Sequence, residues 1–188
     1  MHKKFTIFLV IIVIGTVAFF MWWDSRESSE YAAHPDWQTF TDEAGIYTFQ
    51  YPQKLGTTYI TAVDWPPKIN LLEGPFSCIE TGSEIVPGGK TVQRMIGDVA
   101  YCVTTGSEGA AGSIYIQHAY AREKDNQIIV FVFTTREVQC ANYDDPQKTE
   151  CETERASFNI DSVVGEMADT FHFTQTVNLN EKAIPEQN

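Results

Sequence analysis

The sequence opens with an apolar segment that constrains how the rest of the chain can fold. Residues 5–23 read FTIFLVIIVIGTVAFFMWW, a run of 19 residues without a charge. As a helix, this run would extend about 28 Å, close to the hydrocarbon thickness of a bilayer. It is apolar on every face, which is typical of a membrane span. We therefore expect residues 1–23 to comprise a short tip and a transmembrane signal anchor, with the lipid bilayer as the partner of residues 5–23.

The flanking residues predict the orientation of this segment. Lys3 and Lys4 precede it, whereas the stretch that follows, DSRESSE, has one Arg against three acids. By the positive-inside rule we expect a single-pass protein of the cell membrane, with its N-terminus cytoplasmic and its C-terminal domain extracytoplasmic. The segment ends in Met-Trp-Trp, which fits an interfacial aromatic belt better than a small-residue cleavage site. We expect the anchor to be retained, and a cleaved signal is the alternative.

The charge balance limits the kinds of partner. All 25 acidic residues follow the apolar segment, and the net charge of the chain is −12. Such an acidic domain is not expected to bind nucleic acid or anionic lipid. Its charge is compatible with a cation or with the basic surface of another envelope protein, and equally with solubility alone.

Four cysteines lie on the expected outer side of the membrane. An even number of cysteines in an oxidising compartment predicts two disulfides, for which three pairings are possible. We favour Cys140–Cys151, because it closes a polar, turn-rich segment, and Cys78–Cys102 as its complement. No C-x-x-C pair or Cys/His cluster at ligand spacing occurs, so a zinc site is not expected.

Residues 24–36 are polar and predict a stalk, residues 37–173 a single extracytoplasmic domain, and residues 174–188 a flexible tail. The domain shows short runs typical of β-strands, with a central strand expected at 128–135 (IIVFVFTT). Only one helix is expected there, capped by Asp161 and ending near Thr170. The predicted fold class is α+β: a mainly antiparallel sheet with a C-terminal helix packed on it, preceded by one N-terminal transmembrane helix.

The individual strand predictions rest on alternation of apolar and polar residues and on flanking turn residues. A hairpin is expected at 37–52 and an irregular connection around 65–74. The segment GSEGAAGS at 106–113 is expected to be a flexible hairpin loop, because it lies between strands and lacks the G-K-[ST] of a phosphate-binding loop. The strands are expected at 59–63, 76–81, 97–105, 113–121 and 128–135.

The candidate chemistry is sparse. Asp144 and Asp145 would sit at the tip of the loop closed by Cys140 and Cys151, where they could form a weak calcium or partner-binding site. Their spacing is not that of an EF-hand, and a solvated loop is the alternative; no other cofactor and no metal site is predicted. The histidines are scattered outside any catalytic signature, so no catalytic residue is predicted and enzymatic activity is uncertain. They are His34, His118 and His172.

Two segments resemble the ends of the PsbP-like fold. Residues 45–52 (GIYTFQYP) match its early hairpin motif, and residues 163–173 (VVGEMADTFHF) match its C-terminal helix leading into a short final strand. The chain also resembles uncharacterised bacterial proteins that join an N-terminal anchor to such a domain. The resemblance implies a non-enzymatic accessory or binding domain, sometimes linked to a cation.

Residues 3–7 (KKFTI) resemble the start of a type IV pilin, although Lys4 and Leu9 stand where that family has Gly and Glu. The sequence therefore predicts a membrane-anchored extracytoplasmic binding or accessory domain of unknown ligand. An envelope hydrolase with an unrecognised site and a pilin-like structural subunit are the alternatives.

Overall fold

The computed structural model describes residues 34–56, 58–82 and 89–174. The expected anchor at 5–23, most of the expected stalk and nearly all of the expected tail lie outside these residues. Within the described ranges, no helix is long and apolar enough to cross a membrane.

Nine strands and two α-helices form the described part of the chain, together with a short 3-10 turn at Cys140–Asn142. The elements in chain order are β1 (Trp37–Thr41), β2 (Tyr47–Pro52), β3 (Ile60–Ala62), β4 (Lys68–Leu72), β5 (Lys90–Ile96), β6 (Val99–Ala110), β7 (Ser113–Lys124), β8 (Gln127–Val138), α1 (Gln147–Ser157), α2 (Ile160–Thr170) and β9 (His172–Phe173).

Most strands belong to one antiparallel sheet in the order β3-β8-β7-β6-β5, with β4 also paired to β8. Strand β8 pairs with β7 along one edge, and with β3 and β4 at different points along the other. Its side chains Ile129, Phe131 and Phe133 are fully or almost fully buried, and they alternate with half-buried residues. The prediction of a central strand at 128–135 is therefore confirmed.

A second layer closes the core. Strands β1, β2 and β9 form a small antiparallel sheet, and α2 packs beside β2. Phe49 of β2 lies 5.8 Å from Phe131 and 6.5 Å from Phe171, measured between ring centroids. Val164 and Met167 of α2 are fully buried in the same cluster. The α+β class and the packing of a C-terminal helix on the sheet are thus as expected, because both elements carry clear apolar periodicity.

The second helix, α1, corrects the sequence prediction, which placed a polar loop there and expected only one helix. Its 11 residues, QKTECETERAS, bury only Cys151. A helix with one buried residue has almost no hydrophobic periodicity, so its sequence pattern does not predict a helix. Contacts made by the rest of the fold hold it in place, as described below.

The edges of the large sheet also differ from expectation. Strand β4 lies in the stretch expected to be irregular, and β5 was not predicted at all. Residues 76–81 were expected to form a strand but contribute only an isolated bridge between Thr81 and Thr91. Edge strands are short or two-sided, so their alternation is a weak signal.

The segment expected to be a flexible loop at 106–113 is mostly sheet. Strand β6 continues to Ala110 and β7 begins at Ser113, leaving only Ala111 and Gly112 as the turn. Both have positive φ, 47° and 73°, which is the geometry of a tight two-residue hairpin. Small residues here shape the turn.

Candidate functional site

Alternation along β5 to β8 gives the large sheet an inner and an outer face. Tyr101, Val103 and Tyr120 are buried in the core and define the inner face. Residues between them along each strand point the other way, because successive side chains of a strand lie on opposite faces. Cys102 and Ala121, which are paired in register, therefore lie on the outer face.

Residues 73–82, which we call the strap, cross this outer face. The strap leaves the end of β4 at one edge of the sheet, and Thr81 pairs with Thr91 of β5 at the other. Between these points Cys78 is bonded to Cys102, with a Cα–Cα distance of 5.2 Å. The Glu80 carboxylate accepts a hydrogen bond from the Gln93 backbone N–H at 2.9 Å. The strap is thus fixed to the sheet both covalently and through its backbone.

The second disulfide joins Cys140 to Cys151 with a Cα–Cα distance of 5.5 Å. The two bonds are the pairing favoured from the sequence, and none of the cysteines is left as a thiol. Disulfides of this kind are typical of domains that fold in an extracellular or otherwise oxidising compartment.

A charged network ties the inner face to α2. Asp161 accepts two hydrogen bonds from Arg94 Nη1, both at 3.0 Å, and one from the Tyr120 hydroxyl at 2.6 Å. Burial, followed by the hydrogen bond to Asp161, raises the pKa of Tyr120 above its ordinary value. The phenol stays protonated, so the group acts as a fixed donor between sheet and helix.

This arrangement corrects the predicted cap of the helix. Asp161 was expected to cap α2, but it lies within the first turn and turns toward the sheet. The cap is Asn159, whose side chain accepts a hydrogen bond from the Ser162 backbone N–H at 3.2 Å. Both residue types are good caps, so the sequence alone left the choice to tertiary contacts.

Two more cations of β7 face inward beside this network. Arg122, 9% exposed, donates to the Tyr101 hydroxyl at 3.0 Å and to Asp169 at 3.3 Å. Lys124 donates to the backbone carbonyl of Phe171. Burial is the largest cause that lowers the pKa of Lys124, followed by the neighbouring Arg122. The cations at this end of the sheet are therefore committed to contacts on the inner face.

The predicted histidines do not come together. His118 is buried on the inner face, bonded through Nε2 to Thr135 Oγ1 at 2.9 Å, and burial lowers its pKa to about 4. His34 stacks on Trp37 at 4.1 Å, with Nε2 3.8 Å from a Glu166 oxygen. His172 is exposed on β9.

Asp144 and Asp145 lie where the chain enters α1. Asp145 Oδ1 accepts a hydrogen bond from the Thr149 hydroxyl at 2.7 Å, and the Asp144 carbonyl accepts one from the Lys148 N–H. Among the residues that the structure describes, no group of three or more His, Cys, Asp or Glu is placed to hold a metal ion. The geometry gives these two aspartates a part in starting the helix, and it adds no support to the calcium prediction.

Helix α1 is held by a carboxylate in a nest of backbone donors. Glu154 accepts hydrogen bonds from the N–H groups of Thr58, Tyr59 and Ile60 at 3.0–3.1 Å. Arg155 forms an ion pair with Glu137 of β8 at 2.7 Å. Together with the Cys140–Cys151 bond, these contacts attach a helix that has almost no apolar face of its own.

Several clefts open on the surface. One, of about 480 Å³, lies between the β5–β6 turn and α2 and is lined by four carboxylates; another, of about 600 Å³, lies between α1 and Tyr59. A third, of about 610 Å³, lies beside Cys140. None of these three is lined by His118 or His172. The carboxylates of the first cleft are Asp98, Asp161, Glu166 and Asp169.

The outer face carries a group of exposed apolar side chains at the end bearing the β5–β6 and β7–β8 turns. Leu72 is 51% exposed, Met95 62% and Ile79, on the strap, 75%. Met95 pairs with Ala100, and Leu72 pairs with Ile128, which in turn pairs with Glu123. We call the strand residues of this set the turn-end patch: Leu72, Met95, Ala100, Glu123 and Ile128.

The sequence prediction missed this patch. Its members come from five separate segments, and only the strand register places them in one row. Alternation in the sequence shows that two faces exist, but it does not show which outward residues remain exposed after the strap has crossed.

Comparisons with known proteins supply no relative against which to read this site. No family model, no curated protein and no solved structure matches the chain.

Proposed function

We propose that the protein is a membrane-anchored extracytoplasmic binding or accessory domain, with residues 5–23 as its anchor. The observation that carries this proposal is the pair of disulfides within one α+β domain. Disulfides persist in oxidising compartments, and the apolar segment with its N-terminal lysines would carry the domain into one. The acidic charge and the exposed turn-end patch favour a protein of the envelope as the partner.

Binding is favoured over catalysis by the position of the titratable groups. His118 is the most strongly perturbed histidine, but it is buried against Thr135 and Phe133. A general base must reach the proton that it removes, and a ring enclosed in a core cannot. Asp161 and Asp169, in the first and last turns of α2, are engaged by arginines and a tyrosine and act as structural acceptors.

We propose a PsbP-like fold for the domain, and two features support this proposal. The β1–β2 hairpin ends at Pro52, and α2 leads directly into the short strand β9. Both features follow the order that the resemblance implies. The proposal is an accessory role of that general kind, without a transferred ligand.

Protease treatment of intact cells tests the proposed extracytoplasmic location of the domain. A full-length chain with a C-terminal epitope tag is expressed, and intact cells are treated with an added protease. We expect loss of the tag without permeabilisation, while a cytoplasmic marker protein survives. A tag that is lost only after permeabilisation would overturn the proposed orientation.

Two mass measurements on the same material separate the remaining alternatives. Non-reducing peptide mapping should yield the Cys78–Cys102 and Cys140–Cys151 pairs, and four alkylatable thiols would contradict an oxidising location. An intact mass that includes residues 1–23 supports a retained anchor. Cleavage between Lys4 and Phe5 would instead support the pilin-like alternative.

A further inference from the structure

We propose that the turn-end patch is a docking surface for a basic, amphipathic segment of a partner protein. This inference rests on the proposed function, because it specifies where and by what chemistry the domain would hold a partner. The supporting observation is that, at one end of the sheet, the cations lie on the inner face and exposed carboxylates lie on the outer side.

The patch has the dimensions of a peptide-binding surface. Met95 on β5 pairs with Ala100 on β6, and Leu72 on β4 pairs with Ile128 on β8, which pairs with Glu123 on β7. The β6–β7 register, in which Cys102 pairs with Ala121, places Ala100 opposite Glu123 when it is continued by two residues, so the five residues form one row across five strands. At about 4.8 Å between neighbouring strands, the row spans roughly 19 Å. This is the length of about six extended residues or about three helical turns. Its apolar ends, Leu72 and Met95, are more than half exposed.

The cations near this row all turn to the inner face. Arg94 is bound to Asp161, Arg122 to Tyr101, and Lys124 to a backbone carbonyl behind the sheet. Each of these three cations is adjacent in sequence to a residue of the outer face. Because successive side chains of a strand lie on opposite faces, each cation lies on the inner face. Lys68, an outward lysine on β4, lies four residues from Leu72, or roughly 13 Å along the strand.

Exposed carboxylates also lie at the outer side of this end. Glu123 lies within the row, and Glu73 and Asp125 follow the strand ends beside it; all three are exposed. Apolar side chains framed by carboxylates complement a segment that carries lysines or arginines among apolar residues. A second copy of this chain would bring the same carboxylates against them, so the surface does not favour self-association.

The probe is a fluorescently labelled nine-residue peptide of alternating Lys and Leu, and its control has Glu in place of every Lys. The full-length chain is reconstituted in phosphatidylcholine nanodiscs, and empty nanodiscs give the background. Binding is measured by fluorescence anisotropy at low and high salt. We expect the Lys peptide to bind more tightly than the Glu peptide, with an affinity that falls as salt is added.

Variants locate the binding. Glu123→Lys should weaken the Lys peptide about tenfold, and the double variant Leu72→Ser with Met95→Ser about fivefold or more. Glu108→Lys is the matched control: it makes the same charge change on the outer face of β6, near the opposite end of the strand. It should leave the affinity within about twofold, since its distance from the patch exceeds the screening length at moderate salt.

Three outcomes would overturn the inference: equal binding of the two peptides, equal effects of Glu123→Lys and Glu108→Lys, or a dimer in sedimentation that the double variant dissociates. Far-ultraviolet circular dichroism of each variant checks that it has folded. The topology experiment is independent. A domain that binds the Lys peptide at the patch but proves cytoplasmic would sink the proposed location and leave the docking surface standing.

Discussion

At the residue scale, Asp161 connects two strands of the large sheet to α2, and no pattern in the sequence predicts these contacts. It joins Arg94 of β5 and Tyr120 of β7 to the first turn of α2. The Arg94 side chain is 41% exposed, so water screens that ion pair and its contribution to stability is small. Tyr120 is fully buried, and its hydroxyl has a charged acceptor. We therefore expect the Tyr120–Asp161 hydrogen bond to contribute more to stability than the Arg94–Asp161 ion pair.

A double-mutant cycle with Tyr120→Phe and Asp161→Asn measures that bond. We expect a coupling energy of about 2 kcal/mol in urea denaturation of the full-length chain, because a buried hydroxyl loses its charged acceptor. The same cycle with Arg94→Gln and Asp161→Asn should give less than about 1 kcal/mol. A larger coupling to Arg94 than to Tyr120 would contradict this order.

His118 is a second buried polar residue with a measurable consequence. Burial is the largest cause of its lowered pKa; Asp161 opposes the shift and Arg94 adds to it. The folded state therefore keeps the ring neutral at pH values where the unfolded chain, with a pKa near 6.5, takes up a proton. Stability from this group is complete above pH 6.5 and is lost as the pH falls toward about 4.

The expected size of this loss is about 3 kcal/mol, since each pKa unit corresponds to about 1.4 kcal/mol. His118→Gln should remove this part of the pH dependence, which is read as the difference in unfolding free energy between pH 7 and pH 4. His172→Gln, at an exposed position, serves as the control and should retain it. Parallel pH profiles for the wild type and His118→Gln would show that the ring is not held neutral.

At the element scale, α1 shows a helix defined by its attachments. Glu154 occupies the donors of three consecutive residues at the start of β3, and Cys151 fixes the same helix to Cys140. Helices of this length are marginal in isolation, so tertiary contacts decide whether this one forms. The sequence of this segment is polar and charged, a pattern that predicts a loop.

Glu154→Gln should loosen this attachment locally. An amide side chain has one carbonyl oxygen where the carboxylate has two, so part of the backbone nest loses its acceptor. We expect amide hydrogen exchange of Thr58 to Ile60 to accelerate about tenfold or more while the β7–β8 amides stay protected. Glu152→Gln, an exposed position on the same helix, is the matched control, and equal acceleration in both variants would argue against the nest.

At the scale of the whole molecule, the strap decides which parts of the outer face are covered. It leaves one edge of the sheet and reaches the other, with the Cys78–Cys102 bond in between. The bond closes a separation of 24 residues. In the chain-entropy account, restricting a loop of this size in the unfolded state contributes about 3 kcal/mol to folding.

Replacing Cys78 and Cys102 together by Ser should therefore lower the free energy of unfolding by about 3 kcal/mol. Urea denaturation measures the change, and the steepness of the transition should increase as the unfolded chain expands. The Cys140→Ser, Cys151→Ser pair is the comparison: its closed segment is shorter, 11 residues apart, and faster amide exchange should be confined to α1 and its contacts. Unchanged stability in the first pair would show that the strap is held by its other contacts alone.

The sequence by itself determined the central strands and the helix α2, because these depend on local periodicity. It favoured one of three possible disulfide pairings, and the tertiary structure decided that pairing. Residues such as Ile129, Phe131 and Phe133 carry their pattern within one segment. The tertiary structure decided what depends on register between distant segments. It turned Asp161 away from the cap, made a helix of 147–157, and brought Leu72 and Met95 into one exposed row. In each case the deciding contacts join residues far apart in the chain, and no local pattern records them.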